Sequence, residues 1–394
     1  MASPKFKVAA LFAGIGGIEL GLERALGNEV ETAMFCEWWE PAQHVLRARF
    51  AGVELHPDVR ELRALPSDVN LVTAGFPCTD LSQAGRTSGI QGQNSGLVRH
   101  LFEALRVAGT GAVNPTLMIE NVPNMLALDR GAAMKYLVTE LESLGYRWAY
   151  RVVDSRFTGV PQRRRRVILI ASQDIDPRHV LFADDAGAPA PDTLADDAFG
   201  FYWTEGRGGL GWAQDAVPTL KGGSTIGIPS PPAVWVPSAR PGRRFVKPSV
   251  EDAEEMQGFS RGWTAVDGVS TRRNGPRWKL VGNAVTVGVA QWVAGRLAEP
   301  GEPQVSYAEW THQGRSWPTA AWGEKGRVWS VPEISEFPLL NSYTHLGDIV
   351  DWEQSEPLSH RASSGFFSRL QQGNLGRHPG FREDIAAHIE AMAV

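Results

Sequence analysis

The sequence predicts a Rossmann-like α/β fold, in which a mostly parallel sheet has helices on both faces. Short apolar runs alternate with amphipathic stretches as far as Ala171, which is the pattern of buried parallel strands joined by crossover helices. Glycines follow the first run directly, as they do where a strand turns tightly into a helix. After Ser172 the alternation stops, which predicts a small loop-rich domain.

The elements of the sheet region are predicted from their own runs. Lys7–Phe12 forms the first strand, and Ile18–Leu26 follows with helical spacing and stops at Gly27. The further predicted strands cover residues 30–35, 71–74, 116–119, 147–153 and 167–171. The further predicted helices of this region cover residues 95–107 and 129–145.

The second half of the chain is less regular. Gly, Pro, Ala and Asp are frequent up to about Pro241, and helices are predicted again over 249–257 and 282–297. We therefore divide the chain into residues 1–172, 173–265, 266–298 and 299–394. The last part is rich in Trp and has a late helix near 382–393. Disordered tails lack aromatic residues, so we expect this extension to pack on another part of the protein.

Composition narrows the class of protein. The chain of 394 residues is 43% hydrophobic, as in ordinary globular proteins. No apolar run reaches the roughly 18 residues that a membrane span needs, and the N-terminal residues do not have the pattern of a signal peptide. Two cysteines cannot form a disulfide framework, so we expect a reducing cytoplasm. We also expect a monomer.

The charge of the chain is uneven. A net charge of -5 argues mildly against a nucleic-acid partner. Basic residues nevertheless cluster in three places: 163–166, 240–247 and 272–279. Such clusters can bind phosphates even on an acidic chain, although solvated surface is the alternative interpretation.

The first motif is the glycine turn that contains Gly14 and Gly16. A strand, a glycine turn and a helix form a nucleotide-type binding corner, although a tight structural turn is an equal alternative because Glu19 replaces the third fingerprint glycine. Glu37 ends the second strand, where a carboxylate can bind ribose, and Trp38 beside it can stack on a purine. A solvated Glu and a core Trp are the alternatives, but together the features favour an adenosine-containing cofactor.

The second group of motifs also lies at strand ends. Cys78 follows the strand 71–74 and Glu120 ends the strand that starts at Thr116, so both are expected at the ligand-binding edge of the sheet. A thiolate beside a carboxylic acid suggests attack on an electron-poor ring. Most free cysteines are instead buried small apolar residues. The run Gln162–Arg166 precedes the next strand and can hold a phosphate or the acid.

In this fixed order the motifs resemble those of the bacterial DNA (cytosine-5-)-methyltransferase family. The resemblance covers residues 8 to about 298. The matching positions are Phe12 to Gly16, Glu37–Trp38, Asp58, Pro77–Cys78, Ser82, Gly85, Glu120 to Val122, Gln162, Arg164, Arg166, the segment 251–259, Gly282–Asn283 and Val285. One departure is Thr79–Asp80, where the family usually has Gln after the nucleophile.

The resemblance implies a role for each matched residue. The catalytic residues would be Cys78 as nucleophile, Glu120 as acid, Arg164 positioning Glu120 or the base, and Arg166 supporting the loop. The cofactor would be S-adenosyl-L-methionine, bound by Phe12, Gly14, Gly16, Glu37, Trp38, Asp58, Pro77, Asn283 and Val285. Ser82 and Gln162 would bind the substrate, and no metal site is expected.

The resemblance also assigns partners and parts. Double-stranded DNA would be the substrate, and a cognate restriction or defence nuclease would be a further partner. Residues 1–172 and 266–298 would form the catalytic domain and 173–265 the target-recognition domain, where Thr204, Arg207 and Lys221 can read base edges or simply form turns. Two alternatives remain: a catalytically silent DNA-binding relative, and an enzyme that acts on RNA.

Overall fold

The structure, a computed structural model, describes residues 4–76, 97–108, 114–205, 208–222, 231–272, 275–312, 316–352 and 355–393. Within them the strands are β1 (Phe6–Leu11), β2 (Val30–Cys36), β3 (Glu54–His56), β4 (Leu71–Ala74), β5 (Thr116–Asn121), β6 (Arg147–Asp154), β7 (Gln162–Arg163), β8 (Arg165–Ser172), β9 (Phe199–Phe201), β10 (Ala213–Gln214), β11 (Val217–Pro218), β12 (Ala233–Trp235), β13 (Phe245–Lys247), β14 (Ala308–Trp310), β15 (Ala320–Glu324), β16 (Arg327–Ser330) and β17 (Glu356–Pro357).

The α-helices of the same residues are α1 (Gly17–Leu26), α2 (Glu40–Arg49), α3 (Leu97–Ala108), α4 (Ala132–Ser143), α5 (Arg178–Leu181), α6 (Val250–Glu255), α7 (Arg277–Asn283), α8 (Val287–Ala298), α9 (Leu346–Ile349), α10 (His360–Gly373) and α11 (Phe381–Ala391). Short 3-10 helices cover Gly27–Glu29, Pro123–Leu126, Leu128–Gly131, Ser155–Thr158 and Pro191–Thr193. No helix in these ranges is long and apolar enough to cross a membrane.

The chain divides into two compact units. Unit 1 consists of Met1–Asp154, Arg165–Ala188 and Val285–Leu339. Unit 2 consists of Ser155–Arg164, Pro189–Ala284 and Leu340–Val394. The boundaries of these units differ from those of the functional parts predicted from the sequence. The roles assigned to those parts stay predictions.

Unit 1 is built around one mixed sheet with the strand order β14-β16-β15-β6-β8-β5-β4-β1-β2-β3. Strands β1 to β5 are parallel to one another, whereas β8 is antiparallel to both β5 and β6. Ala9 and Leu11 belong to one core cluster, and the alternating Val8 and Ala10 are just as buried. Because successive side chains point to opposite faces, both faces of β1 are covered. The predicted Rossmann-like fold class is confirmed.

Unit 2 contains a five-stranded sheet with the order β10-β9-β12-β13-β17. Its pairs are antiparallel, and each strand is only two or three residues long. A separate pair, β7 with β11, joins Gln162 to Val217 in parallel. Strands this short cannot display the alternation of apolar and polar residues by which strands are predicted, so none of them is among the predicted elements.

The C-terminal extension packs on both units, as predicted. Strand β15 extends the large sheet by pairing antiparallel with β6, and β17 extends the small sheet by pairing with β13. In unit 1, Trp317 lies 6.0 Å from Trp148 between ring centroids. The extension therefore contributes structure to each unit and is not a separate domain.

The prediction of one continuous helix over 282–297 is wrong, because the helical conformation is interrupted between α7 and α8. Ala284 has extended backbone angles, with ψ at 152°. Its carbonyl oxygen accepts hydrogen bonds from Arg164 Nη2 at 2.7 Å and from Gln257 Nε2 at 3.3 Å. These tertiary contacts stabilise an irregular backbone at Ala284, which helical periodicity cannot reveal.

Candidate active site

The candidate site of unit 1 lies where the chain connections reverse. From β1 the sheet continues through β2 and β3 on one side and through β4 and β5 on the other. Ligands of open α/β sheets bind beyond the carboxyl ends of the strands at such a point. The glycine turn follows β1, Gly75 follows β4, and Glu120 lies at the end of β5. The structure thus collects three of the predicted motifs at one edge.

The glycine turn is tied to Glu37. The carboxylate of Glu37 accepts a hydrogen bond from the N–H of Gly14 at 2.8 Å and one from the N–H of Trp39 at 2.8 Å. Burial raises the pKa of Glu37, and these backbone donors lower it in part. The Trp38 side chain is 74% exposed. A fixed carboxylate beside an exposed indole is suited to hold a ribose and a base.

Three residues of the turn have left-handed backbone angles, in different surroundings. Phe12 has φ at 55°, and its ring meets the edge of Phe76 at 6.0 Å between centroids. Gly16 has φ at 78°, and a Cβ atom there would lie 2.3 Å from the Phe50 ring. Gly14 has φ at 57°, and no heavy atom of the described residues lies within 4 Å of its would-be Cβ.

Gly16→Ala is expected to lower the free energy of unfolding by about 3 kcal/mol, because both the backbone angle and the clash with Phe50 oppose a side chain. Gly14→Ala is the matched control. It carries only the backbone strain and should cost about 1 kcal/mol. Urea denaturation of both variants measures the difference. Equal losses would show that Phe50 moves aside and that the close approach does not constrain the turn.

Asp58 follows β3 and is already engaged by an arginine. Arg60 Nε lies 2.9 Å from each carboxylate oxygen of Asp58, and the Arg60 N–H donates to Oδ1 at 2.9 Å. These bonds lower the pKa of Asp58. Asp58 is therefore held as a carboxylate, which can accept a hydrogen bond from an adenine amine. Its cofactor role stays a prediction.

Glu120 forms an ion pair with Arg166. Arg166 Nε lies 2.7 Å from Glu120 Oε1, and both side chains are nearly buried, at 12% and 10% exposure. The two residues lie on neighbouring strands, β5 and β8, which pair antiparallel. A guanidinium at this distance fixes the direction of the carboxyl group. The arrangement can present one carboxyl oxygen to a ligand in a set orientation.

Gly75, which precedes the predicted nucleophile in the sequence, lies beside this carboxyl group. A Cβ atom on Gly75 would lie 3.8 Å from Glu120 Oε2, 3.9 Å from the Phe12 carbonyl oxygen and 3.9 Å from Val285 Cγ2. The predicted residues Pro77, Cys78 and Ser82 lie outside the described residues. The described chain thus reaches Glu120 three residues before Cys78 in the sequence.

Asn121 is a positioning residue that the sequence analysis treated only as part of a motif. Its side-chain amide donates to the Phe76 carbonyl oxygen at 3.0 Å, and its Oδ1 accepts from the Val122 N–H at 2.8 Å. Asn121 is buried, and its side chain joins the end of β5 to the segment after β4. The only sequence signal for this positioning role was that Asn121 directly follows Glu120.

The structure gives contacts of the two arginines, whose functional roles stay predictions. Arg166, expected to support the loop, forms the ion pair with Glu120. Arg164, expected to position Glu120 or the base, belongs to unit 2, where its Nη1 donates to the carbonyl oxygens of Leu220 and Gly282 at 3.3 Å each. The boundary along the chain between unit 2 and unit 1 falls directly after Arg164.

Gln162 and Asn283 also belong to unit 2. Gln162 is fully buried, donates to the Met256 carbonyl oxygen at 2.9 Å and accepts from the Leu220 N–H at 3.0 Å. Asn283 ends α7, and its Oδ1 would lie 2.6 Å from a Cβ on Gly222. Gln162 therefore braces the backbone near Leu220, and its predicted contact with substrate stays a prediction.

Glu19, which replaces the third fingerprint glycine, is a buried carboxyl group that sequence analysis did not assign. It accepts a hydrogen bond from Thr73 Oγ1 at 2.6 Å. Burial raises the pKa of Glu19 to about 7. The sequence signal for this buried group was an acidic residue within an apolar helix segment. Its hydrogen bond to Thr73 connects α1 to β4.

Cys36 lies in the core of unit 1. It is buried at the end of β2, and burial raises the pKa of its thiol to about 12. A thiol with this pKa is almost entirely protonated at neutral pH and is a poor nucleophile. Of the two cysteines in the sequence, Cys36 is thus unsuited to covalent catalysis.

Comparison with known proteins identifies the class. The family model described as C-5 cytosine-specific DNA methylase matches residues 6–185. The type II methyltransferase M2.BsuMI of Bacillus subtilis (strain 168) is 45% identical over 370 residues, which cover 92% of each chain. The Dnmt2 methyltransferase of S. pombe has a TM-score of 0.55 at 15% identity over 75% of this chain and 98% of its own. The Entamoeba histolytica methyltransferase EhMeth has a TM-score of 0.51 at 16% identity over 73% of this chain and 96% of its own.

The structural likenesses, at low identity, show that the chain has the α/β fold of these methyltransferases. The sequence likenesses show more. The chain belongs to the C-5 cytosine-specific DNA methylase family, and it is an enzyme, a DNA cytosine-5-methyltransferase of the type II restriction-modification kind.

Proposed function

We propose that the enzyme transfers a methyl group from S-adenosyl-L-methionine to carbon 5 of a flipped-out cytosine in a specific duplex sequence, through a covalent bond to Cys78. The observation that carries the proposal is the Glu120–Arg166 ion pair beside Gly75. A buried, oriented carboxyl group is what activation of a cytosine ring needs. Cys78 follows Gly75 by three residues in the sequence, and Cys36 is buried in the core.

The residues around the glycine turn fit the proposed cofactor. The Glu37 carboxylate accepts hydrogen bonds from the backbone N–H groups of Gly14, Trp38 and Trp39. A carboxylate has about four acceptor sites, so acceptor capacity is left for a ribose hydroxyl. Phe12 and the exposed Trp38 offer aromatic surface to adenine, and Asp58 offers an acceptor to its amine. Asn283 and Val285 are assigned to the cofactor by resemblance. When bound, the cofactor supplies a methyl group on an electrophilic sulfonium.

In the proposed reaction, Cys78 and Glu120 activate the cytosine ring. The Cys78 thiolate bonds to carbon 6 of cytosine, while Glu120, which must carry a proton at this stage, donates a hydrogen bond to ring nitrogen 3 and accepts one from the exocyclic amine. Electron density moves to carbon 5, which would receive the methyl group as the cofactor's sulfur keeps the electron pair of the broken bond. Transfer of the carbon 5 proton to water or another base, together with cleavage of the sulfur–carbon 6 bond, restores the aromatic ring and releases the thiolate. Arg166 keeps the Glu120 carboxyl in position throughout.

The target base must leave the helix for this reaction, at a cost of a few kcal/mol. Contacts to phosphates offset that cost and weaken with salt. Arg240 and Arg272 are exposed basic residues of unit 2, and we assign such contacts to residues of this kind. A cognate nuclease, a role in defence, a monomeric state and a cytoplasmic location complete the proposal.

A mechanism-based trap tests the proposal. A duplex library made with 5-fluoro-dCTP is incubated with the enzyme and S-adenosyl-L-methionine, and the library made with dCTP and methyl-labelled cofactor is the matched control. The fluorine cannot leave as a proton does, so the enzyme should remain bonded to the fluorinated DNA. Mass spectrometry of the digested complex should place the base on the peptide that contains Cys78.

The control library should instead carry label at carbon 5 of cytosine. An adduct on Cys36, or methyl transfer without any adduct, would overturn the covalent role of Cys78. Preferential labelling of added transfer RNA would overturn the DNA substrate, and absence of both label and adduct would mean a catalytically silent relative.

A further inference from the structure

Residues 340–394 of the extension form part of the core of unit 2. Phe366, Leu370, Phe381 and Ile385 from α10 and α11 are fully buried. They belong to one cluster with the following residues of the predicted target-recognition segment: Phe199, Phe201, Leu210, Ala233, Trp235 and Phe245. Neither segment buries these side chains alone, so the core of unit 2 depends on the extension.

Polar contacts connect the same two segments. Asp384 accepts from Trp235 Nε1 at 2.9 Å and pairs with Arg244. Lys247 Nζ lies 3.0 Å from Glu356 Oε2. The basic cluster at 240–247, which the sequence analysis offered as a phosphate-binding surface, is thus largely engaged by the extension. These charges hold unit 2 together.

One arginine of the extension reaches the turn that contains Trp203, Thr204 and Glu205, which we name the 203–205 turn. Arg369 Nε donates to the Glu205 carbonyl oxygen at 2.8 Å, and Arg369 Nη2 donates to the Trp203 carbonyl oxygen at 2.8 Å. Charged donors make stronger hydrogen bonds than neutral ones. A planar guanidinium that bonds two carbonyls fixes the orientation of the turn.

The 203–205 turn is in contact with the other candidate base-reading segment. Glu205 pairs with Lys221 at 2.5 Å, and Lys221 Nζ lies 3.7 Å from the centre of the Tyr202 ring. Trp203 Nε1 donates to the Pro231 carbonyl oxygen at 2.9 Å. The two segments in which Thr204 and Lys221 were predicted to read bases therefore share one network, and Arg369 anchors it from the extension.

We infer that Arg369 is a positioning residue for sequence recognition, and that residues 340–394 belong to the target-recognition module. The inference rests on the proposed function, because it assumes that the network around the 203–205 turn contacts DNA. Arg369 is not assigned a contact with a base. It acts by holding the backbone on both sides of Thr204, and it reaches Lys221 only indirectly, through the Glu205 side chain that pairs with Lys221.

A matched arginine separates this role from plain stabilisation. Arg382 also donates to backbone carbonyls, with Nε at 3.0 Å and Nη2 at 2.6 Å from the Leu375 oxygen, but this contact lies wholly within the extension. Arg369→Gln and Arg382→Gln thus each remove an arginine–carbonyl contact of the extension. Only the first releases the 203–205 turn.

The wild type and both variants are incubated with genomic DNA that lacks 5-methylcytosine, and bisulfite sequencing gives the spectrum of methylated sites. Steady-state KM values for this DNA and for S-adenosyl-L-methionine, and the melting temperature, are measured in parallel. Arg369→Gln should raise the KM for DNA about tenfold and methylate a wider set of sequences, with an unchanged KM for cofactor. Arg369→Lys should restore part of the selectivity.

Arg382→Gln should keep the wild-type spectrum of methylated sites, and its melting temperature should be similar to that of Arg369→Gln. The inference is overturned if Arg369→Gln keeps the wild-type spectrum and KM for DNA, or if Arg382→Gln widens the spectrum equally. Site-specific methylation by the wild type in those cases would leave the proposed function standing. A wild type that methylates no cytosine would overturn both.

Discussion

Replacing Glu120 with Gln is expected to lower the rate of methyl transfer by about 10²–10⁴-fold, because an amide can donate a hydrogen bond to ring nitrogen 3 but cannot transfer a proton to it. The Arg166 partner would remain, so the KM for DNA should change little. Single-turnover transfer of labelled methyl groups to duplex DNA measures the chemical step without product release. A loss that appears only in the KM for DNA would show that Glu120 binds the base without activating it.

Glu19→Gln provides the matched control for this experiment. Glu19 is also a buried carboxyl group of unit 1, but its bond to Thr73 Oγ1 lies beneath the glycine turn. Glutamine can still accept that bond, so the transfer rate should stay within a few-fold of the wild type. A similar collapse in both variants would mean that loss of any buried carboxyl disturbs the sheet.

The two arginines should separate in the same assay. Arg166→Gln is expected to lower the transfer rate about 10–100-fold, because Glu120 loses the group that orients it. Arg164→Gln removes a donor to three backbone carbonyls of unit 2, so its larger effect should be on thermal stability. If the variant at 164 proved as stable as that at 166, the structural role assigned to Arg164 would be wrong.

Removing the guanidinium of Arg277 is expected to cause the largest loss of stability. Arg277 Nη2 lies 3.0 Å from Glu254 Oε1 and its Nε donates to Thr264 Oγ1 at 2.8 Å. Glu254 has no exposed side-chain surface. A buried charge that loses its partner costs about 3–5 kcal/mol. Arg277→Met should therefore lower the free energy of unfolding of unit 2 by about this amount.

Arg261→Met is the control for that change. Arg261 pairs with the buried Asp252 and the partly exposed Glu255, and its own side chain is 41% exposed. Water can replace its guanidinium more readily than that of the nearly buried Arg277, so a smaller loss is expected. Hydrogen exchange of the peptides covering α6 and α7 reports on unit 2 directly. Equal protection in the two variants would show that Glu254 is satisfied by its backbone donors and does not need Arg277.

The predictable part of the site followed from local rules. A strand of buried residues ends where its apolar run ends, so Gly75, Glu37 and Glu120 could be placed at the carboxyl edge of the sheet from the sequence. The partners of these residues could not. Arg164 and Arg166 are two positions apart and would share a face of a continuous strand, but β8 begins at Arg165. Only the folded chain shows that this break gives them different partners.

The strands and the core of unit 2 could not be predicted from the sequence for a different reason. Its strands are two or three residues long, and its core is assembled from segments far apart in the chain, such as Phe201 and Phe381 at 5.3 Å between ring centroids. Periodicity reports on neighbours along the chain and carries no information on such pairs. The Trp-rich composition of the extension was the one usable signal, since it predicted packing without naming the partner.

The division of unit 2 among three stretches of chain has a practical consequence for engineering. A chimera that transplants only the central stretch, 189–284, into a related methyltransferase would arrive without the helices that bury Phe201 and Phe245. Such a hybrid should aggregate or lose its preference for one site. Grafting specificity from this enzyme will require the central stretch and the C-terminal residues 340–394 to be exchanged together.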